Sequence, residues 1–197
     1  MKKSNVVLII VLATAGVLCV AGMIALFGYF AVKGVSSRPA TDAEKELVVD
    51  AATLIEYGAE ADAKCGEYKM TRNLDATTMI SYECDSESLY VLSSAEINPT
   101  PRDARQSFVL EIGAYKAGVA LGGSDATLHR RDELLGGLGD DRYAAIIQSG
   151  GKNAGNILIV RQGRILHSVM ITGLYFDDAE PIRELMTPVV EAGKKQR

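Results

Sequence analysis

The sequence predicts an α+β fold: an N-terminal transmembrane helix followed by one domain whose helices pack on a mostly antiparallel twisted sheet. Three observations predict it. No charged residue occurs from Ser4 to Val32, a run of 29 residues, whereas about 20 apolar residues in a helix suffice to cross a bilayer core. Beyond that run, blocks of alternating apolar and polar residues are interrupted by helical repeats of three and four. The connections between the alternating blocks are short, so a parallel crossover has room only through the segment Pro101 to Leu121.

Composition narrows the class. The chain has 197 residues, 48% hydrophobic and 23% charged, with a net charge of −4. Beyond Lys33 there are 18 basic and 25 acidic residues, no tryptophan, and no basic patch interleaved with aromatics, which argues against a nucleic-acid partner. The roughly 160 residues after the uncharged run suit one domain with its own core. The expected organisation is therefore a signal anchor over 1–33, a linker over 34–40, an extracytoplasmic domain over 41–193 and a basic tail over 194–197.

The uncharged run is too long for a cleaved signal peptide, whose apolar stretch is about 7 to 15 residues, and Val32 to Ser37 offers no persuasive cleavage site. Leu18 before Cys19 spoils a lipoprotein signal. Lys2 and Lys3 cluster with the amino terminus on one side, so the N-terminus is expected in the cytoplasm, residues 6–32 in the lipid bilayer, and the acidic remainder in the periplasm or at the cell surface. Ala15, Cys19 and Gly22 fall on one helical stripe that would let a second copy approach closely; alanine and glycine are also simply common in such helices.

In the remainder, Thr41 and Glu44 form a capping box, and Leu47, Val48, Ala51, Leu54, Ile55 and Gly58 recur at helical spacing, predicting one helix up to Cys65. Three strands follow, Glu67 to Leu74, Thr77 to Cys84 and Leu89 to Ile97, in meander order. Thr78, Ile80, Tyr82 and Cys84 share a face. Cys65 and Cys84 stand alone in an exported domain, which predicts a disulfide closing a loop worth about 3 kcal/mol. Thr100, Pro101 and Asp103 open a second helix with Phe108, Ile112, Tyr115 and Val119 inward. Strands are then expected over Ala126 to Arg131, Arg142 to Gln148, Asn156 to Arg161 and Arg164 to Thr172, the last two joined by the turn Gln162–Gly163. Ile157 to Val160 are apolar on both faces, as in a covered interior strand. A last helix is expected from Asp178 to Ala192, carrying Ile182, Leu185, Met186, Val189 and Val190 inward, with a kink at Pro188. The order reads as two similar halves and a closing helix.

No catalytic constellation emerges. The two histidines, His129 and His167, lack metal-ligand spacing, so no metal and no cofactor is expected. His167 shares its strand face with Ile165, Val169 and Ile171, which marks a packed, hydrogen-bonded residue rather than a general base. Ser168 points to the opposite face from His167, so the two cannot act as nucleophile and base. The glycine-rich stretches around Gly136 to Asp141 and Gly150 to Gly155 match no phosphate-binding motif. Their polar residues Asp140, Asp141, Lys152 and Asn153 are candidate contact loops, since exposed loops on a rigid sheet carry most binding.

The stretch Gly137, Leu138, Gly139, Asp140, Asp141, Arg142 and Tyr143, followed by Ile157 to Arg161 and Ile165 to Gly173, resembles small bacterial membrane-anchored or lipoprotein domains related to extracytoplasmic sensor modules. In those a GLGD-x-x-Y turn precedes two apolar strands and a final helix. The resemblance covers about the last 60 residues, implies a non-enzymatic domain and transfers no site residues; the signal-anchor start departs from the lipoprotein members. Three functions stay open: a domain binding an envelope protein or peptide, a cell-envelope hydrolase with an unrecognised acid pair, or a membrane-assembly subunit.

Overall fold

The computed structural model describes residues 34–62, 65–121 and 125–195. Eight strands form one sheet in the order β1-β2-β3-β4-β8-β7-β6-β5. They are β1 (Gly34–Pro39), β2 (Glu67–Asn73), β3 (Thr78–Asp85), β4 (Tyr90–Ile97), β5 (Thr127–Arg130), β6 (Asp141–Ser149), β7 (Lys152–Gln162) and β8 (Ile165–Thr172). All seven pairings are antiparallel. The helices are α1 (Asp42–Lys45), α2 (Ala51–Ile55), α3 (Pro101–Leu121) and α4 (Ala179–Lys195), with a 3-10 turn at Asp132–Leu135. Two four-stranded meanders meet at the β4–β8 pair. Helix α3 carries the chain from the end of β4 across β8, β7 and β6 to the far edge strand β5.

The period-two pattern assigns the two sheet faces. On one, Ile80, Tyr82, Val91, Ala95, Val169, Ile171, Leu158, Val160 and Ile146 are buried beneath α1, α2, α4 and the 3-10 turn. On the other, Leu92, Leu166, Met170, Ile157, Ile159, Tyr143 and Ala145 are buried beneath α3, which contributes Tyr115, Phe108 and Ile112. Strands β6 to β8 are therefore covered on both sides, which explains their unbroken apolar runs. The α4 stripe Ile182, Leu185, Met186, Val189 and Val190 is buried as its spacing predicts, and the helix runs on through Pro188.

The structure corrects three expectations and adds a 3-10 turn. Residues 34–39 are not a linker but edge strand β1, paired with β2 from Gly34↔Asn73 to Pro39↔Lys69. The single helix expected over 41–65 is two short ones. Between them Leu47, Val48 and Val49 are all buried, which no helical face allows, and the sheet takes their polar backbone: Ser93 Oγ accepts from Val49 N at 2.9 Å and Leu47 O lies 3.2 Å from His167 Nδ1. Asp50 then caps α2 by accepting from Thr53 N at 2.8 Å. The 3-10 turn, which buries Leu134 and Leu135, has too short an apolar repeat to be seen in the sequence. Finally, β7 begins at Lys152 and β6 at Asp141, so of the four loop residues only Asp140 stands in a connection.

Among the described residues no helix is long and apolar enough to cross a membrane. The run Ser4 to Val32, with Ala15, Cys19 and Gly22, lies outside them.

Candidate functional site

Cys65 and Cys84 are bonded, with an S–S distance of 2.06 Å and Cα atoms 5.4 Å apart. Cys84 is buried on the β3 face that carries Ile80 and Tyr82. The bond therefore ties the segment entering β2, rather than a helix end, to the neighbouring strand. Gly66 makes the approach possible: its φ is +94°, and a Cβ there would lie 2.6 Å from Glu83 O.

The predicted contact residues do not converge. Asp140 and Asp141 bind Arg161, at 3.2 and 2.6 Å, and Asp140 accepts from Gly163 N at 2.7 Å, so they lock the β7–β8 turn. Lys152 and Asn153 sit at the opposite end of the sheet, where Asn153 Oδ1 accepts from Gln148 Nε2 at 2.9 Å.

His167 is the packed residue that alternation predicts, 1% exposed. Its Nδ1 serves Leu47 O, and its Nε2 has no hydrogen-bond partner and faces Gly193, where a Cβ would come within 2.8 Å. Burial pulls its pKa down to about 4, so it is neutral and closed to any substrate. Ser168 lies on the other face and is equally buried.

Among the described residues, recesses open on both faces of the sheet. One, about 610 Å³, runs between α1–α2 and α4 over Val48, Val49, Leu185 and Val189. Its polar rim is occupied with itself: Lys45 pairs with Asp42 at 2.8 Å, and Tyr68 donates to Asp50 Oδ2 at 2.5 Å. Burial alone would raise the Asp50 pKa, but the bonds from Tyr68 and Thr53 outweigh it and hold the carboxyl low. This polar set joins α2 to β2.

The second recess, about 410 Å³, lies where the N-terminal half of α3 leaves β2, β3 and β4 uncovered. Its lining includes Asn73, Asp75, Met79, Glu96, Asn98, Asp103, Ser107 and Leu110. Each is placed by local rules. Glu96 follows Leu92 and Ser94 on the α3 side of β4, opposite Met79. Thr100 Oγ1 accepts from Asp103 N at 3.2 Å and donates to Asp103 Oδ2 at 2.7 Å, capping α3. One turn on, Ser107 Oγ donates to Glu96 Oε1 at 2.7 Å and lies 3.3 Å from Asn98 Oδ1. Asn73 is 7% exposed and its Oδ1 has no hydrogen-bond partner.

Behind this recess, Ser168 Oγ donates to Glu111 Oε1 at 3.0 Å and lies 2.9 Å from the Tyr115 hydroxyl. Burial raises the Glu111 pKa to about 7 against the opposing Ser168 bond, and the nearby Glu96 charge adds to the rise. Glu96 is raised by burial, by less because Ser107 and Asn98 bond its charged form, while the Asp75 charge lifts it. Two carboxylates with raised pKa values, Glu96 lining the recess and Glu111 behind it, mark this as a candidate binding or reaction site. The lining is rich in oxygen acceptors and suits a cationic or hydrogen-bond-donating group. Among the described residues no three His, Cys, Asp or Glu side chains are set to hold a metal ion.

The sequence reading missed this site. One signal was available: Ala104, Phe108, Glu111 and Tyr115 are spaced four, three and four apart, so Glu111 interrupts the inward stripe of α3 with a carboxylate.

No family model matches the chain, and no curated protein matches it. Among solved structures it is similar to the extracellular domain of PknH from Mycobacterium tuberculosis, with a TM-score of 0.42 and 10% sequence identity; the match covers 60% of this chain and 64% of that one.

Proposed function

We propose that this protein is a single-pass membrane-anchored domain that binds a protein, peptide or other envelope ligand outside the cytoplasm, with residues 6–32 in the bilayer and the N-terminus inside. The Cys65–Cys84 disulfide carries the reading, because such a bond persists in an oxidising compartment. The uncharged run before Lys33 supports the anchor, and the recess beside α3 supports binding.

A hydrolase is less well supported. Glu111 has the pKa of a general base near neutrality, but its hydroxyl partners Ser168 and Tyr115 are 2% and 9% exposed, leaving no room for a substrate at either oxygen.

Thiol labelling of intact cells with a membrane-impermeant reagent, read at Cys65 and Cys84 separately by mass spectrometry, tests the topology. Labelling is expected only after reduction. Two free thiols that react only once the cells are opened would invert the topology and end this reading.

A further inference from the structure

Among the described residues, Leu74 is the most exposed of the large apolar side chains, at 79%. It stands at the tip of the turn between β2 and β3, where nothing in the fold covers it. Its place relative to the chain start gives the exposure a meaning. Strand β1 begins at Gly34, two residues after Val32 closes the uncharged run, and Gly34 is the register partner of Asn73. Adjacent strands lie about 4.8 Å apart and a residue rises about 3.4 Å, so Leu74 sits within one residue's reach of the point where the chain enters the domain. No slack chain separates that point from the apolar run.

We infer that the β2–β3 turn, led by Leu74, rests in the interfacial layer of the bilayer that anchors this chain. The inference rests on the anchor proposed above. Two exposed cations stand beside the tip, Arg72 on β2 and Arg102 at the start of α3, and cations beside an apolar tip suit anionic headgroups. Asp140 and Asp141, at the same end of the sheet, are paired with Arg161. Asp75 and Asp103, the acids nearest the tip, line the recess beside α3, which therefore opens next to the membrane surface.

The chain contains no tryptophan, so a single one reports its own depth. The full-length Leu74→Trp and Tyr175→Trp variants, the second placed in the connection after β8 at the far end, are reconstituted in phosphatidylcholine and phosphatidylglycerol vesicles containing lipids brominated in the upper acyl chain. Leu74→Trp is expected to show blue-shifted emission and several-fold stronger quenching than Tyr175→Trp. Equal quenching of the two in protein that floats with the vesicles and resists carbonate extraction overturns the inference and leaves the anchor standing. Protein that fails to float, or is stripped by carbonate, overturns the anchor and the inference with it.

Discussion

The two faces of the sheet are covered differently. Beneath α1, α2 and α4 the buried apolar surface extends from Ile80 on β3 across to Ile146 on β6. Beneath α3 it stops at Leu92 on β4, and polar residues take over with Glu96, Glu111 and Ser168. The reason is geometric. Helix α3 has 21 residues, about 32 Å at 1.5 Å each, and spends that length crossing the second meander from β4 to β5. Among the described residues nothing remains to cover β1 to β3 on that side. The recess is thus a consequence of the connectivity, and its carboxylates sit at the boundary between a covered and an uncovered sheet.

The sharpest break of this contrast is a core truncation. Leu158, fully buried on β7 under α4, is expected to cost about 3 to 4 kcal/mol as Leu158→Ala. Met79→Ala, on the uncovered stretch opposite Glu96, is expected to cost under about 1 kcal/mol. Urea unfolding of both variants checks the pair, and equal losses would mean that the β1–β3 stretch is covered in solution.

Acid probes the α4 side next. The folded pKa of His167, about 4, lies below its ordinary value of 6.5, so the unfolded chain takes up the proton first as pH falls. Stability is complete above about pH 6.5 and is lost progressively toward pH 4, up to about 3 kcal/mol in all. The His167→Gln variant should remove that slope; an unchanged loss of stability between pH 7 and pH 5 would contradict the neutral, buried imidazole.

The α3 side should answer in the opposite sense and more weakly. The folded pKa of Glu111, about 7, lies above its ordinary 4.5, so the unfolded chain releases the proton first as pH rises. Stability is complete below about pH 4.5 and declines through pH 7. With partial solvent access discounting the shift, Glu111→Gln should raise stability at pH 8 by about 1 to 2 kcal/mol and leave it nearly unchanged at pH 4. Thermal melts at both values test it, and a destabilised variant at pH 8 would show Glu111 to be held as a satisfied anion.

Most of the fold was legible because period and burial agree. The β3 alternation, the helix opening at Thr100 and Pro101, the Ile157 to Val160 run and the cysteine pair each meant locally what they mean in the assembled molecule. The failures come from long-range partners. Gly34 to Pro39 has no apolar pattern to betray a strand, because it is an edge held by backbone pairing to β2 and by the Arg38–Glu44 ion pair. Leu47 to Val49 lies in a break between helices because Ser93 and His167, far along the chain, bind its backbone. The recess was illegible for the same reason: Glu96, Asp103, Ser107 and Asn73 are ordinary surface residues until α3 and the β2–β3 turn bring them together.

The β4–β8 pair joins residues 90–97 to residues 165–172, so the strand that completes the first meander leaves the ribosome well before its neighbour exists. Until β8 arrives, β4 presents a bare edge of unpaired backbone groups, flanked by Val91 and Leu92. Pairing so distant in sequence is slow to form, and the interval is when a second emerging chain can take the place of β8. The seam between the meanders is therefore where this molecule is most exposed to error during its own synthesis, and where a chaperone would have most to shield.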